Sequence, residues 1–251
     1  MISLVRSEYI KLRTVVMHWV LLIIALVFPL VVTLLTAFFN GDDDGWSARQ
    51  LVQVLSGTSF LAVLLIGVTA AASVTGEFGF GTIRPTFTAT PKRSHVIAAK
   101  ALVLLTVAIA VQLVVVVVGW FAASLIAEGR GATVDLGSVD AGINTLIGSV
   151  VLAGLMAVVG LGLGLLVRST PAAVAALILW PLLVENLLGG LLGLIFSNID
   201  IASWMPFRAG FGLATLEPFQ GPSRLVAGLY FGAVAVGVLA LGTWSVNRRD
   251  A

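Results

Sequence analysis

The sequence predicts an all-α integral membrane protein with six transmembrane helices and an N-terminal amphipathic helix at the membrane interface. Three observations lead there. First, 59% of the residues are hydrophobic and 10% charged, with a mean hydropathy of +1.10, whereas soluble domains average about 45–50% apolar and about 25% charged. Second, six segments reach the roughly 20 mainly apolar residues that a bilayer span needs: about 15–39, 51–75, 97–127, 143–167, 172–196 and 223–245. Third, the polar stretches between them are too short to build a nucleotide-binding or catalytic domain. Residues 1–251 are therefore expected to form a single transmembrane domain, and any such catalytic activity must come from elsewhere.

The N-terminal fourteen residues, MISLVRSEYIKLRT, place Ile2, Val5, Tyr9, Leu12 and then Val16 at helical spacing. Ser3, Arg6, Ser7, Lys11 and Thr14 fill much of the rest. Such a helix would lie among the lipid headgroups, its cations toward anionic lipid, and turn into the first span near His18 and Trp19. Alternatively it is a basic topogenic flank with no further role. Although Arg6, Lys11 and Arg13 precede an apolar run as in a secretory signal, the run lasts about 25 residues against the roughly 7–15 of a signal's apolar core. A retained first span is expected.

Alternating loops differ in charge. Arg6, Lys11, Arg13, Arg84, Lys92, Arg93, Lys100, Arg168, Arg248 and Arg249 fall on one side, and only Arg49, Arg130, Arg208 and Arg224 on the other. Short basic loops stay cytoplasmic, so both termini are expected inside, as an even number of spans requires. Asp42, Asp43, Asp44, Glu128, Asp135, Asp140, Asp200 and Glu217 all fall outside. The pI near 9.4 then reflects the inner face rather than nucleic-acid binding, since no basic patch is interleaved with a soluble aromatic platform.

Between the second and third spans lies Gly76–Lys100, GEFGFGTIRPTFTATPKRSHVIAAK. Its glycines allow a sharp exit from the membrane, and Pro85 and Pro91 bracket the short segment 86–90. Arg84, Lys92 and Arg93 would face a partner surface or lipid phosphates; the other reading is a plain positive-inside loop. The fourth and fifth spans are joined by little more than Arg168-Ser169-Thr170-Pro171, which forces an antiparallel hairpin, with Pro171 suited to a first helical turn. The pairs Gly160/Gly164, Gly189/Gly193 and Gly228/Gly232 permit close helix approach, either within the chain, which a six-helix bundle favours, or at a dimer seam.

Glu185 is the ionisable residue well inside a span, shortly after Pro181. A charge there costs a few kcal/mol unless it faces protein or water. It contacts a substrate path or a protomer interface, or else the fifth span ends early near Gly189-Gly190 and leaves it close to the outer surface. The segment 197–222 is expected to be external, with short interfacial or re-entrant pieces around Trp204, Pro206 and Phe207.

Several chemistries lack their residues. Lys11, Lys92 and Lys100 are the only lysines and none follows a glycine, so no GxxxxGK[ST] phosphate loop exists. The glycine run 160–164 lies in a span without the strand of a dinucleotide fingerprint. His18 and His95 stand alone, without metal-ligand spacing, and the absence of cysteine removes thiolate chemistry. Paired intramembrane carboxylates for a proton relay are also missing.

In architecture the whole chain resembles the permease subunits of bacterial ABC-2 type (type V exporter-like) transporters. The local resemblance lies in Gly76-Glu77, Gly81-Thr82, Arg84, Pro91, Arg93 and Lys100, which look like the family's E…GT…R…P…R…K pattern. It implies that 1–14 is a connector helix, with Arg6, Tyr9, Lys11 and Arg13 on it. The cytoplasmic loop 76–96 would carry a coupling region near 77–93, with Glu77, Thr82, Arg84, Pro91, Arg93 and Lys100 coupling it to a separate ATPase docked beneath. ATP and Mg would belong to that partner, this chain having no cofactor, metal or catalytic residue of its own. A second permease copy or homologue would complete a dimer, and export of a hydrophobic or amphipathic substrate across the cytoplasmic membrane would be the function. The alternatives are an ion-gradient-driven secondary transporter, disfavoured by the missing intramembrane charges and repeats, and a non-transporting sensor or immunity subunit.

Overall fold

The computed structural model describes residues 1–40, 47–90, 92–195, 201–216 and 221–248. The sequence expectations placed on Asp42, Asp43, Asp44, Pro91, Asp200, Glu217 and Arg249 lie outside these residues. The described elements are helical: α1 (Ile2–Thr14), α2 (Val16–Asn40), α3 (Ala48–Gly79), α4 (Ile83–Ala89), α5 (Arg93–Gly129), α6 (Gly142–Val167), α7 (Thr170–Leu179), α8 (Glu185–Ile195), α9 (Pro206–Phe211) and α10 (Arg224–Arg248). A π-helical turn, Trp180–Val184, fuses α7 to α8. Six helices, counting Thr170–Ile195 as one, are long and apolar enough to cross a membrane.

Two of them are longer than a bilayer requires. At about 1.5 Å per residue, the 32 residues of α3 and the 37 of α5 exceed the ~30 Å hydrocarbon core. Both therefore continue past it, and the loop expected over 76–96 shrinks to the turn after Gly79, the short α4 and the approach to Arg93. Gly81 makes that turn at φ +70°, where a side chain would be strained. Ser47 starts α3 with a capping box, its backbone N–H donating to Gln50 Oε1 at 2.9 Å.

The bundle is organised around α6, which packs on α3, α5 and α10. Lipid offers no hydrophobic drive between helices, so close backbone contact must supply the cohesion. Glycines supply it. A Cβ on Gly160 would collide with the Gly67 carbonyl of α3, and one on Gly164 would come within 2.9 Å of the Ala71 carbonyl. On the other side, a Cβ on Gly162 would lie 2.7 Å from Leu239 N of α10. Gly160 and Gly164 thus serve packing within the chain. Met156, Leu152, Leu161, Leu177 and Phe231 fill the centre, and Gln112 of α5 donates to Ser149 Oγ of α6 at 3.3 Å in the buried interior.

The end of the bundle away from α1 and α4 is closed by residues 201–216, which fold inward as short helical turns against α6, α8 and α10. Phe207 stacks edge-on against Phe231 with centroids 5.4 Å apart, Phe211 meets Phe60 of α3 at 4.5 Å, and Gly148 admits the Leu213 backbone where no side chain would fit.

Candidate functional site

Of the expected coupling residues, Glu77, Thr82, Arg84, Arg93 and Lys100 lie at the end of the bundle formed by α1, α4 and the protruding turns of α3 and α5, and Pro91 lies outside the described residues. The geometry starts with α1. Its inward residues are Leu4, Val5, Glu8, Lys11 and Leu12, whereas Ile2 is 87% and Tyr9 47% exposed. Ile2 and Tyr9 thus stay on the open side of α1, whereas Lys11, expected on the polar side, turns inward beside Glu8, one helical turn away. A buried charge is tolerated only when paired, and the bundle supplies the partners.

Glu77, in the last turn of α3, and Lys100, in α5, complete a group of four charges. Lys11 Nζ lies 2.7 Å from Glu8 Oε1 and 3.2 Å from Glu77 Oε1. Lys100 Nζ lies 2.8 Å from Glu77 Oε1 and 2.5 Å from Glu8 Oε2. Two ammoniums and two carboxylates leave the group neutral, and Glu8, Glu77 and Lys100 are almost fully buried. Lys11 Nζ also reaches Thr86 Oγ1 of α4 at 3.5 Å. Four helices, α1, α3, α4 and α5, therefore meet at one ionic node. Burial pulls the Lys11 pKa down, but its hydrogen bond to Glu8 and the charges of Glu77 and Glu8 outweigh this and raise it above the usual lysine value. At neutral pH Lys11 is fully charged.

The path into α2 is also fixed. Val15 is extended, with φ −91° and ψ 113°, and Trp19 Nε1 donates to the Arg13 carbonyl at 2.8 Å, occupying an acceptor at the end of α1. Arg13 lies over the Tyr9 ring at 5.8 Å.

α4 buries Ile83 and Phe87 and exposes Arg84, with Thr82 exposed just before it. Lys92, Arg6 and Arg13 are exposed at the same end. Arg93 differs from Arg84. It is half-buried, its guanidinium stacks over Phe87 at 5.3 Å, and its Nη1 donates to the Val246 carbonyl of α10 at 2.6 Å. Arg168, left-handed at φ 56°, stacks over Phe78 at 4.9 Å and donates to the Ser245 carbonyl at 3.4 Å. Two arginines thereby hold the last carbonyls of α10, where a helix dipole favours cations.

Glu185 lies elsewhere, near the opposite end and 3% exposed. Its Oε1 accepts from Phe207 N and its Oε2 from Arg208 N, each at 2.9 Å. These are the first N–H groups of α9, unsatisfied within a helix, so the carboxylate caps α9 and anchors the inward-folded segment to the fifth span. Pro181 causes the π turn immediately before it, and Asn186 Nδ2 donates to the Leu182 carbonyl at 2.8 Å, within the freed backbone.

Sequence reasoning missed Glu8, a member of the node, and His18, buried beside it. The one available signal was a carboxylate three residues before Lys11 in an otherwise basic segment.

Comparison with curated proteins and with solved structures gave no significant match. A family model described as ABC-2 family transporter protein matches residues 4–184, from α1 to the end of the π turn. That stretch contains the whole ionic node and most of the chain, and six apolar helices make the protein multi-pass. The chain belongs to the ABC-2 transporter family and is a membrane permease component of an ABC transporter.

Proposed function

We propose that this permease exports a hydrophobic or amphipathic substrate, driven by ATP hydrolysis in a separate ATPase subunit that docks against α1 and α4. The observation that carries this reading is the ionic node. Because Glu8, Lys11, Glu77 and Lys100 join α1 to α3 and α5, with Thr86 of α4 in reach, force applied to the α1–α4 face would move two spans rather than a loose loop. Exposed Arg84, Lys92, Arg6 and Arg13 around that face suit an acidic docking surface.

In this reading Arg84 and Thr82 contact the partner, Glu77, Lys100 and Lys11 transmit the movement, and Arg93 relays it to α10. ATP and Mg reside on the partner, and a second copy or a homologue completes the pathway. The α1 end faces the cytoplasm, supported by the ten cations assigned to that side against four. With no native cysteine, single cysteines at Ser94 and Ser169 should resist an impermeant reagent that labels one at Asp135.

The deciding experiment is a mild-detergent pull-down of the tagged chain expressed with its neighbouring genes. A stoichiometric phosphate-loop ATPase whose binding depends on residues 76–100 supports the reading. A chain that comes down alone, with no associated ATP hydrolysis, removes it in favour of gradient-driven transport or a non-transporting role.

A further inference from the structure

A cavity of about 380 Å³ lies against the ionic node, enclosed by α1, the start of α2, and the protruding ends of α3 and α5. Its wall is mostly apolar, with Leu12, Val15, Ala72, Phe80, Val103 and Leu104 contributing. The size falls within the roughly 300–1,000 Å³ of small-molecule pockets.

Two polar atoms on this wall are buried and without a protein partner, Glu77 Oε2 and His18 Nδ1. Their residues are 9% and 6% exposed. The node leaves them so. Both ammoniums reach Glu77 through Oε1 and none reaches Oε2. The His18 ring has the Leu12 backbone as its neighbour, and its Nδ1 is left without a protein partner. A buried polar atom without a partner is costly, and here two share one greasy chamber.

We propose that the cavity is a binding site for an amphiphile whose polar end donates hydrogen bonds, an ammonium or a hydroxyl, with its apolar part against Leu12, Val15 and Phe80. The donor would meet Glu77 Oε2 and His18 Nδ1. An anionic head would instead face a carboxylate. The opening favours entry from the membrane, since Val15 is 44% and Phe80 88% exposed at the rim, beside the point where the first span begins. A bilayer lipid with an ammonium head and a free amphiphilic guest share this chemistry. The site shares Thr82 and the node with the proposed coupling face, but it is tested by ligand binding to the permease alone, so the inference does not rest on the transport reading.

Gly76 provides the blocking variant. It lines the cavity, and a Cβ built on it meets nothing within 4 Å, so Gly76→Leu should fill the chamber without displacing the backbone. The test uses the full chain in phosphatidylcholine nanodiscs, carrying T82C labelled with an environment-sensitive fluorophore at the cavity rim. Oleylamine, oleyl alcohol and oleate are titrated in, and in a separate arm one fifth of the lipid is replaced by phosphatidylethanolamine. The expected result is a saturable change with oleylamine or oleyl alcohol at a membrane mole fraction at least about fivefold below that needed for oleate, abolished by Gly76→Leu. A response to phosphatidylethanolamine identifies a bilayer lipid as the source; a response to the free amphiphiles alone identifies a guest. Equal responses to all three probes, or responses unchanged by Gly76→Leu, overturn the proposal and leave a cavity filled by water. Should Gly76→Leu fail to fold, Ser73→Leu on the same wall replaces it, because the Ser73 hydroxyl bonds only within its own helix, to the Ala70 carbonyl.

Discussion

Glu77 at the end of α3 and Lys100 in α5 lie 2.8 Å apart, with side chains 10% and 7% exposed, and this pair joins two spans through a contact that also binds α1. Removing one partner from such a pair strands a buried charge, which typically costs about 3–5 kcal/mol. Lys100→Met should therefore cost about that much, lowering the unfolding midpoint in detergent and exposing α1 to amide exchange. Adding Glu77→Gln should recover part of the loss, because one stranded carboxylate is gone. Additive single-mutant costs would show that the two residues are not coupled.

The α6 glycines predict a contrast. Gly162→Ala forces a Cβ to within 2.7 Å of the α10 backbone and should cost about 1–3 kcal/mol. Gly237→Ala, on α10 itself and with nothing within 4 Å, should be neutral or stabilising by up to ~1 kcal/mol through helix propensity. Thermal unfolding of both variants checks this.

Glu185→Gln retains shape but turns one of two accepting oxygens into a donor facing an N–H. Loss of a charge-assisted cap should cost about 1.5–3 kcal/mol, with protein yield and activity falling together. Selective loss of activity at unchanged stability would instead mark Glu185 as a contact for the transported molecule.

Lys11 gives a pH prediction. Its folded pKa lies above its ordinary 10.5, so its contribution is fully present below 10.5 and disappears only as pH rises through the higher folded value. Amide protection of α1 should stay constant between pH 7 and about 10 once intrinsic exchange rates are corrected for. A decline near pH 8 would contradict the paired, protonated lysine.

Arg84 and Arg93 should separate under charge reversal. Arg84→Glu changes an exposed side chain and should weaken ATPase co-purification while leaving the unfolding midpoint within about 0.5 kcal/mol. Arg93→Glu breaks the bond to Val246 and the stacking on Phe87, so it should lower stability even without a partner present.

The six spans were legible because composition and length alone decide them, and the Gly160/Gly164 pair of α6 announced close packing. The node was not legible. Its members come from positions 8, 11, 77 and 100, and only the phase of each helix and the register of α3 against α5 bring them together. The apolar spacing of α1, through Ile2 and Tyr9, gave no hint that Lys11 turns inward, because periodicity counts apolar side chains and gives no weight to a charge that finds its counter-ion inside. Glu185 was visible as an anomaly, but its explanation lies in the six-residue α9, too short to leave a periodic signature.

The node also imposes an order on biosynthesis. Glu8 and Lys11 are made before the first span, yet Lys100 follows about ninety residues later, which at roughly 5–20 residues per second is a delay of about 5–20 s. During that interval Glu77 is already available to Lys11, but Glu8 lacks the second cation it pairs with. The full seating of α1 therefore waits on the start of the third span, and a ribosome stalled before Lys100 would leave the node one charge short.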